Sequence, residues 1–298
     1  MSKPKILYKY MGGGTLEKIL RNNSLKISRP SEFNDPFDSS FPGYSNKTKI
    51  TGELERMFSY YLKNTGVSPG DLKAHLRSTD QNKNFNEVMF QAIEELRVGW
   101  DKYIDYYRIL CLSKNKNNIL MWSHYAQYHK GAVIGFDFNE EDFYSEIARV
   151  TYDSKNNLID NLVRQGISLM ANYIQNHPSD PETALNQLDA LMKKDDFLNQ
   201  VVWFAIKNLN PSFFIKKYIW NYEEEYRIVR FSEEVSDNLL TFSSNAVKEI
   251  IFGINMCNSE KESVIKLIST RKYPTKIFQA KKLNSDLSFE DITHQVMA

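Results

Sequence analysis

The chain has 298 residues, of which 42% are hydrophobic, 25% charged and 13% aromatic. These fractions are typical of a globular protein with a hydrophobic core, and they exclude a wholly disordered chain, a coiled coil or a collagen-like repeat. The 38 Lys and Arg residues against 37 Asp and Glu residues give a formal net charge of +1. No overall cationic field therefore draws the protein to nucleic acid or to a membrane.

The sequence predicts a cytoplasmic protein. No apolar run reaches the about 20 residues that a membrane helix needs, and the first residues lack the apolar stretch of a signal peptide. The two cysteines, Cys111 and Cys257, lie in apolar segments. We expect them to be buried free thiols, so no disulfide framework is predicted.

The first predicted elements precede a helical insertion. An apolar run predicts a strand over 5–9, the glycines that follow predict a turn, and Thr15 is expected to cap a helix over 16–23. A second strand is predicted over 25–29. Residues 48–105 then carry apolar side chains at helical spacing.

Further strands are predicted where short apolar runs recur after this insertion, at 107–113, 132–138, 147–153, 223–231, 247–255 and 275–283. Two helices are indicated between them, a short Asn-capped one within 115–131 and another near 258–270. Residues 155–208 form a second helical block. These elements predict a single α+β domain over residues 1–298, with helical insertions at about 48–105 and 155–208.

The usual motif classes indicate little chemistry. The glycine run Gly12–Gly14 lacks the GxGxxG spacing of dinucleotide folds and the GK[ST] of a P-loop, so it is interpreted as a simple turn. The histidines and cysteines form no HExxH or CxxC motif, so no metal site is predicted.

Four clusters are dense in residue types that lower stability unless they have a structural or functional role. They are Tyr8–Tyr10, Ser31–Asp38, Met121–Tyr125 and Tyr222–Arg227. Side chains two apart on a strand point the same way, so Glu223 and Glu225 would face one cleft. Their like charges repel unless a ligand or a cation lies there. The alternative is a solvated strand start, with Arg227 supplying the compensating charge.

The chain resembles a large bacterial family catalogued as a domain of unknown function. The resemblance lies in five segments between about residues 6 and 255, LYKY, SRPSEFNDPFD, LCLSKNKNNILMWSHYA, HKGAVIGFD and YEEEYRIV. Their order is also similar to the ADP-ribosyltransferase superfamily. That resemblance implies a split sheet with helical insertions.

The superfamily carries a His or Arg on its first strand, a Ser or Tyr in the middle, and a glutamate, often as Glu-x-Glu, at the start of a late strand. Lys9 falls at the first of these positions and departs from the pattern, which leaves the subclass open. Ser113 and Tyr125 are both candidates for the middle position. Glu223 and Glu225 match the Glu-x-Glu, with Glu225 in the catalytic place.

The resemblance implies NAD as co-substrate and no metal. Glu225 would accept a hydrogen bond from the ribose 2′-hydroxyl and stabilise positive charge at C1′, and Glu223 would orient or deprotonate the acceptor. Lys9 would hold a ribose hydroxyl or a pyrophosphate oxygen. Residues expected to line the cofactor site are Tyr8, Lys9, Tyr10, Ser28, Asn34, Asp35, Ser113, Trp122, His124 and Tyr125.

Some of these residues have alternative roles. Trp122 or Tyr125 would stack on nicotinamide. Asn34 and Asp35 would either shape the edge of the cleft or form an Asx turn before a proline. His124 is expected to be a structural donor rather than a base.

The expected function is therefore NAD-dependent mono-ADP-ribosyl transfer by a bacterial toxin or phage-defence effector, with a neutralising antitoxin protein as partner and no membrane. Aromatic side chains offer surfaces for stacking on bases. The resemblance of LYKY, the helix that follows it and LKIS to DNA-modifying members of the superfamily implies a nucleic-acid acceptor rather than a protein. Local basic residues would contact the phosphates of such an acceptor, or they are ordinary solvated surface. These residues are Lys216, Lys217, Arg271, Lys272, Lys281 and Lys282. The alternatives are an inactive binding or sensor module, which Lys9 favours, and an NAD glycohydrolase.

Overall fold

The computed structural model describes residues 3–41, 55–56, 59, 65–76, 94–95, 97–152, 180–192, 210–232 and 237–297. The chain separates into two compact units. The first comprises Met1–Phe33, Tyr107–Ser154 and Lys216–Ala298, and the second Asn34–Tyr106 and Lys155–Ile215. The two predicted helical insertions fall within the second unit, and much of each lies outside the described residues.

The described strands are β1 (Leu7–Met11), β2 (Ser24–Lys26), β3 (Tyr107–Ser113), β4 (Ala132–Phe136), β5 (Ala148–Arg149), β6 (Thr151–Tyr152), β7 (Ile215–Lys216), β8 (Glu225–Phe231), β9 (Leu239–Thr241), β10 (Val247–Phe252), β11 (Lys276–Leu283) and β12 (Asp286–Asp291). The described α-helices are α1 (Gly13–Asn22), α2 (Pro69–Leu76), α3 (Trp100–Ile104), α4 (Ile119–Tyr125), α5 (Pro181–Met192), α6 (Asn258–Ser269) and α7 (Thr293–Met297). The predicted α+β class is confirmed. None of the helices in the described ranges has the length and apolar character that crossing a bilayer requires.

Eight strands of the first unit form one mixed sheet in the order β12-β11-β10-β4-β1-β3-β8-β5. Strands β10 and β11 are parallel and joined through α6, as a parallel connection requires. β1 pairs with β4 along its whole length, and β3 does so with β8. Between β1 and β3 the register holds one pair, Tyr8 with Ser113. The sheet is therefore nearly divided between these two strands.

The two faces of this sheet are covered by different helices. On one face, called the α1 face, Leu7 and Met11 of β1 join a core that includes Leu16 of α1 and Val264 of α6. On the other, called the α4 face, Tyr8 and Tyr10 pack with Met121 and Trp122 of α4. Because strand side chains alternate, each strand contributes to both cores.

Two local predictions are wrong. Thr15 lies inside α1 rather than at its cap, because the helix already begins at Gly13 and the Thr15 N–H donates to the carbonyl of Gly12 (3.1 Å). Cys257 is exposed rather than buried, since it immediately precedes α6 as its N-cap, where its sulfur lies 3.3 Å from Glu260 Oε2. Cys111 is half-buried.

The turn before β4 requires glycine. A Cβ atom at Gly131 would lie 2.0 Å from the carbonyl oxygen of Met11, a backbone atom that cannot rotate away. We expect Gly131→Ala to lower the free energy of unfolding by about 2–4 kcal/mol, because β1 or β4 must shift. Gly14→Ala is the control, since nothing lies within 4 Å of its Cβ position in α1. It should raise stability by about 0.5–1 kcal/mol. Thermal unfolding of both variants checks the prediction, and equal midpoints would contradict it.

Candidate functional site

The acidic triplet lies where a tight turn enters β8. A 3₁₀ helix over Tyr218–Glu223 ends at Glu224, which adopts a left-handed conformation with φ of 43°. The end of β3 fixes this turn, since Ser113 Oγ donates to the carbonyl of Glu223 (2.7 Å) and the Lys114 N–H to that of Glu224 (3.1 Å). β8 then begins at Glu225, whose register partner is Ser113.

Four charged side chains form a buried group, called the charge cluster, and they are Lys216, Glu223, Glu225 and Arg227. Arg227 makes a bidentate pair with Glu225 through Nε (2.8 Å) and Nη2 (2.9 Å). Lys216 Nζ lies 2.6 Å from Glu223 Oε2 and 3.4 Å from Glu225 Oε2. The side chains are at most 6% exposed. The repulsion expected between the glutamates is thus offset by two cations of this chain. The strand start is buried rather than solvated, but Arg227 supplies compensating charge as that alternative expected.

Aromatic side chains surround the charge cluster. Tyr125 donates its hydroxyl hydrogen to Glu223 Oε1 (2.6 Å), and the Tyr152 hydroxyl accepts from the backbone N–H of Glu225 (2.8 Å). The ring of Trp220 lies 5.0 Å from Lys216 Nζ. These groups add hydrogen bonds and a π-face in a setting where little water reaches the charges.

Burial governs the electrostatics of Glu223. It raises the pKa of the Glu223 carboxyl above its ordinary value of 4.5, while the Lys216 ammonium opposes that rise. A carboxylate with a raised pKa accepts a proton more readily near neutral pH than an exposed one does. The raised pKa therefore suits Glu223 to act as a base.

A cavity of about 640 Å³ lies beside the charge cluster, and its lining consists of Asn115, Asn118, Arg149, Val150, Thr151, Tyr152, Tyr218, Asn221, Tyr222 and Glu224. Its volume lies within the roughly 300–1,000 Å³ typical of small-molecule sites. Tyr152 links the cavity to the start of β8, since it lines the cavity and its hydroxyl accepts from the backbone N–H of Glu225. Asn118 fixes another wall, since its side chain caps α4 and donates to the carbonyl of Tyr222 (3.0 Å).

The sheet register separates the candidate catalytic residues. Tyr8, Ser113 and Glu225 are register partners and share the α4 face. Lys9 pairs with Ile134 of the α1 face, and its Nζ donates to the carbonyl of Cys111 (2.9 Å) between β1 and β3. The structure thus brings Glu225 together with Glu223, Ser113 and Tyr125 but directs Lys9 to the other side of the sheet.

The remaining predicted residues of the first unit have structural contacts. Trp122 is fully buried, its Nε1 donates to the carbonyl of Lys116 (2.9 Å), and its ring stacks on that of His129. The Tyr10 hydroxyl donates to the carbonyl of Asn115 (2.7 Å). Ser28 forms a bridge to Ile109 of β3. His124 is exposed and makes an edge contact with Tyr125. These contacts favour a structural role for Trp122 over stacking on a ligand.

Asn34 and Asp35 begin the second unit. Asp35 Oδ1 accepts a hydrogen bond from the backbone N–H of Phe37 (2.9 Å), across the intervening proline. This is the Asx turn that the sequence offered as an alternative to a role at the cleft.

Three residues of the site were not anticipated. Lys216 was expected to be a phosphate contact or solvated surface, and it is instead buried against Glu223. Tyr152 and Trp220 were not singled out. Lys216 carries no local signal of burial, because it pairs with a carboxylate seven residues away through a turn that apolar periodicity does not reveal.

Comparisons with known proteins give one match. A family model described as "Protein of unknown function (DUF2971)" matches residues 121–228, which run from α4 into β8 and include Tyr125, Glu223 and Glu225. No curated protein and no solved structure matches the chain. The match supports the resemblance to a family of unknown function over this segment. Among the residues that the structure describes, no group of three His, Cys, Asp or Glu side chains could hold a metal ion.

The ion pair of Glu225 with Arg227 should matter strongly for stability. Either Glu225→Gln or Arg227→Gln leaves a buried charge without its bidentate partner, so each should lower the free energy of unfolding by about 3–5 kcal/mol. Glu146→Gln is the control, because it breaks a bidentate pair with Arg230 of the same strand that is partly exposed. It should cost at most about 1 kcal/mol. Denaturant unfolding measures all three variants, and similar losses would show that burial does not set the effect.

Proposed function

We propose that this protein transfers ADP-ribose from NAD, with the reacting ribose beside Glu225. The observation that carries the proposal is the pair of buried carboxylates at the start of β8, next to a cavity of suitable size. The near division of the sheet between β1 and β3 supports it as well, since a split sheet is what the resemblance to ADP-ribosyltransferases implies.

The reaction needs two carboxylate roles. The bond between ribose C1′ and the nicotinamide nitrogen breaks, and its electron pair leaves with neutral nicotinamide. Glu225 stabilises the positive charge that develops at C1′. The acceptor's lone pair then forms the new bond to C1′, and its proton passes to Glu223. With water as the acceptor, the same steps constitute NAD hydrolysis.

The geometry revises the assignment of supporting residues. Tyr125 serves better than Ser113 as the middle residue of the motif, because its hydroxyl binds the Glu223 carboxylate directly. The Ser113 hydroxyl donates its hydrogen bond to the backbone carbonyl of Glu223 instead. Lys9 has no role in this proposal, since it belongs to the other face of the sheet. The nicotinamide ribose would enter from the cavity, past Tyr152.

The acceptor in this proposal is a nucleic-acid base. Tyr218 and Arg149, both exposed, line the cavity and could stack on a base and contact a phosphate. An enzyme with such an acceptor would act in the cytoplasm as a toxin or phage-defence effector, and an antitoxin protein would restrain it.

One observation favours a second candidate, a binding module without catalysis. Glu225 already has a bidentate partner in Arg227, and Glu223 has Lys216 and Tyr125. Carboxylates satisfied in this way are what a purely structural ion-pair network would also contain. The two candidates differ in whether the carboxylate is needed for nicotinamide release.

Glu225→Gln and Arg227→Gln separate catalysis from stability, because both break the same ion pair. If Glu225 stabilises the C1′ cation, Glu225→Gln should lower nicotinamide release at least about 100-fold per folded molecule. Arg227→Gln should retain activity within about tenfold of wild type, since the carboxylate remains. Each variant is incubated with NAD and cell nucleic acid, and the nicotinamide released is measured by chromatography. The folded fraction is measured by circular dichroism.

Glu146→Gln is the control for a lost ion pair away from the cavity, and it should match wild type. Equal losses of nicotinamide release in Glu225→Gln and Arg227→Gln would show that the ion pair has a structural role only. If wild-type protein releases no nicotinamide with RNA, DNA, protein or water as acceptor, the binding-module function replaces the enzymatic one.

The acceptor can be identified by the fate of labelled ADP-ribose. We expect label from NAD to enter a macromolecular fraction of a cell lysate and to be released by nuclease, because tyrosine rings in the cavity lining can stack on a base. Tyr218→Ala should reduce this labelling several-fold, while Tyr128→Ala, which removes an exposed tyrosine outside the cavity, should not. Release of the label by protease instead would identify a protein acceptor.

A further inference from the structure

We infer that Lys216 is an internal counter-ion that keeps the proposed active site closed until a cationic substrate displaces it. The inference rests on the proposed function, because it concerns the same two carboxylates. The inference adds a regulatory contact, in which the Lys216 ammonium occupies the position between the carboxylates that a positively charged ligand must occupy.

The position of Lys216 Nζ is the first support. The ammonium lies 2.6 Å from Glu223 Oε2 and 3.4 Å from Glu225 Oε2, so it bridges the two groups that would act in the reaction. NAD carries a positive charge at the nicotinamide nitrogen, directly bonded to ribose C1′. A second cation between these carboxylates would be repelled by the first, and the repulsion is strong where water is scarce.

The two cations of the charge cluster differ in how easily they leave. Arg227 is fully buried, is held by Glu225 at both Nε and Nη2, and lies in β8 between β3 and β5. Lys216 is a compact charge on a flexible stem, at the end of the two-residue strand β7. It is also the first residue of the first unit after the segment Lys155–Ile215. Lys216 is therefore the cation that can exchange.

Charge balance supports exchange rather than simple loss. The cluster holds two carboxylates and two cations, so its formal charge is zero. Withdrawal of Lys216 alone leaves one buried negative charge uncompensated, which is costly. Entry of a ligand with a single positive charge restores neutrality. The site should therefore open to a cation and stay closed to a neutral molecule of the same shape.

The first test compares 1-methylnicotinamide, which is methylated at the ring nitrogen and is a permanent pyridinium cation, with neutral nicotinamide, using calorimetric titration of the full chain. Lys216→Met should bind the cation at least about tenfold more tightly than wild type does, since the variant leaves one buried carboxylate charge uncompensated and only a cation restores neutrality. Affinity for nicotinamide should not change. Lys281→Met, which breaks the exposed pair with Glu290, is the control and should behave as wild type.

The second test uses wild-type protein and so does not depend on the folding of Lys216→Met. Lysines are acylated with an amine-reactive reagent, and the modified peptides are quantified by mass spectrometry. Lys216 should be protected without ligand and at least several-fold more reactive with 1-methylnicotinamide, whereas the exposed Lys281 should react equally in both samples. Reaction of Lys216 without the cation, or protection at the highest cation concentration, overturns the inference.

Neither readout requires cleavage of the bond between ribose and nicotinamide, so the counter-ion inference and the proposed transfer activity can fail separately. If Lys216→Met gains affinity for the cation but neither wild type nor the variant releases nicotinamide from NAD, the counter-ion inference stands and the proposed transfer activity is wrong. Nicotinamide release by wild type with no cation preference in Lys216→Met would do the reverse. Equal gains for the cation and for neutral nicotinamide would mean that Lys216 blocks the site by its size, which also overturns the inference.

Discussion

Two carboxylates buried at one turn of the chain constrain everything around them, because taking a charge out of water costs more than most single contacts return. Glu223 and Glu225 are 3% and 4% exposed, and each has a cation within hydrogen-bond distance. Arg227 comes from the same strand as Glu225, while Lys216 comes from before the 3₁₀ helix. The start of β8 and the end of β7 must therefore keep one arrangement for the charges to remain paired.

Strand β3 supplies the framework for that arrangement. At its last residue, Ser113 pairs with Tyr8 on one side and with Glu225 on the other, and its hydroxyl holds the turn before β8. β1 and β3 pair at one position only, so the neighbouring carbonyl of Cys111 is left to the ammonium of Lys9. A single side chain thus satisfies a backbone acceptor that an uninterrupted strand would have satisfied.

Hydrophobic alternation predicted strands with well-buried side chains, such as β3, β4 and β10, whereas β7, β9 and β12 were not predicted. β3 was predicted with the bounds it has, and the Asn cap of α4 was predicted from an Asn before an apolar run. The same local reasoning could not assign Lys9 to a face, because that depends on the register with β4. It also could not find Lys216, since a lysine within a polar stretch is usually solvated and its partner lies across a turn.

The energetics of the charge cluster also bear on why it is charged at all. Well-packed apolar side chains of similar volume often stabilise a core as much as a buried ion-pair network does, or more. Stability alone therefore does not require two acids and two bases here, with Tyr125 and Tyr152 adding hydrogen bonds. A neutral cluster in which one cation is a planar, fully buried guanidinium and the other is a lysine ammonium on a flexible stem does offer something that an apolar core lacks. In the proposed function, such a cluster would exchange one positive charge for another without leaving a buried charge unpaired, as chemistry on a cationic sugar requires.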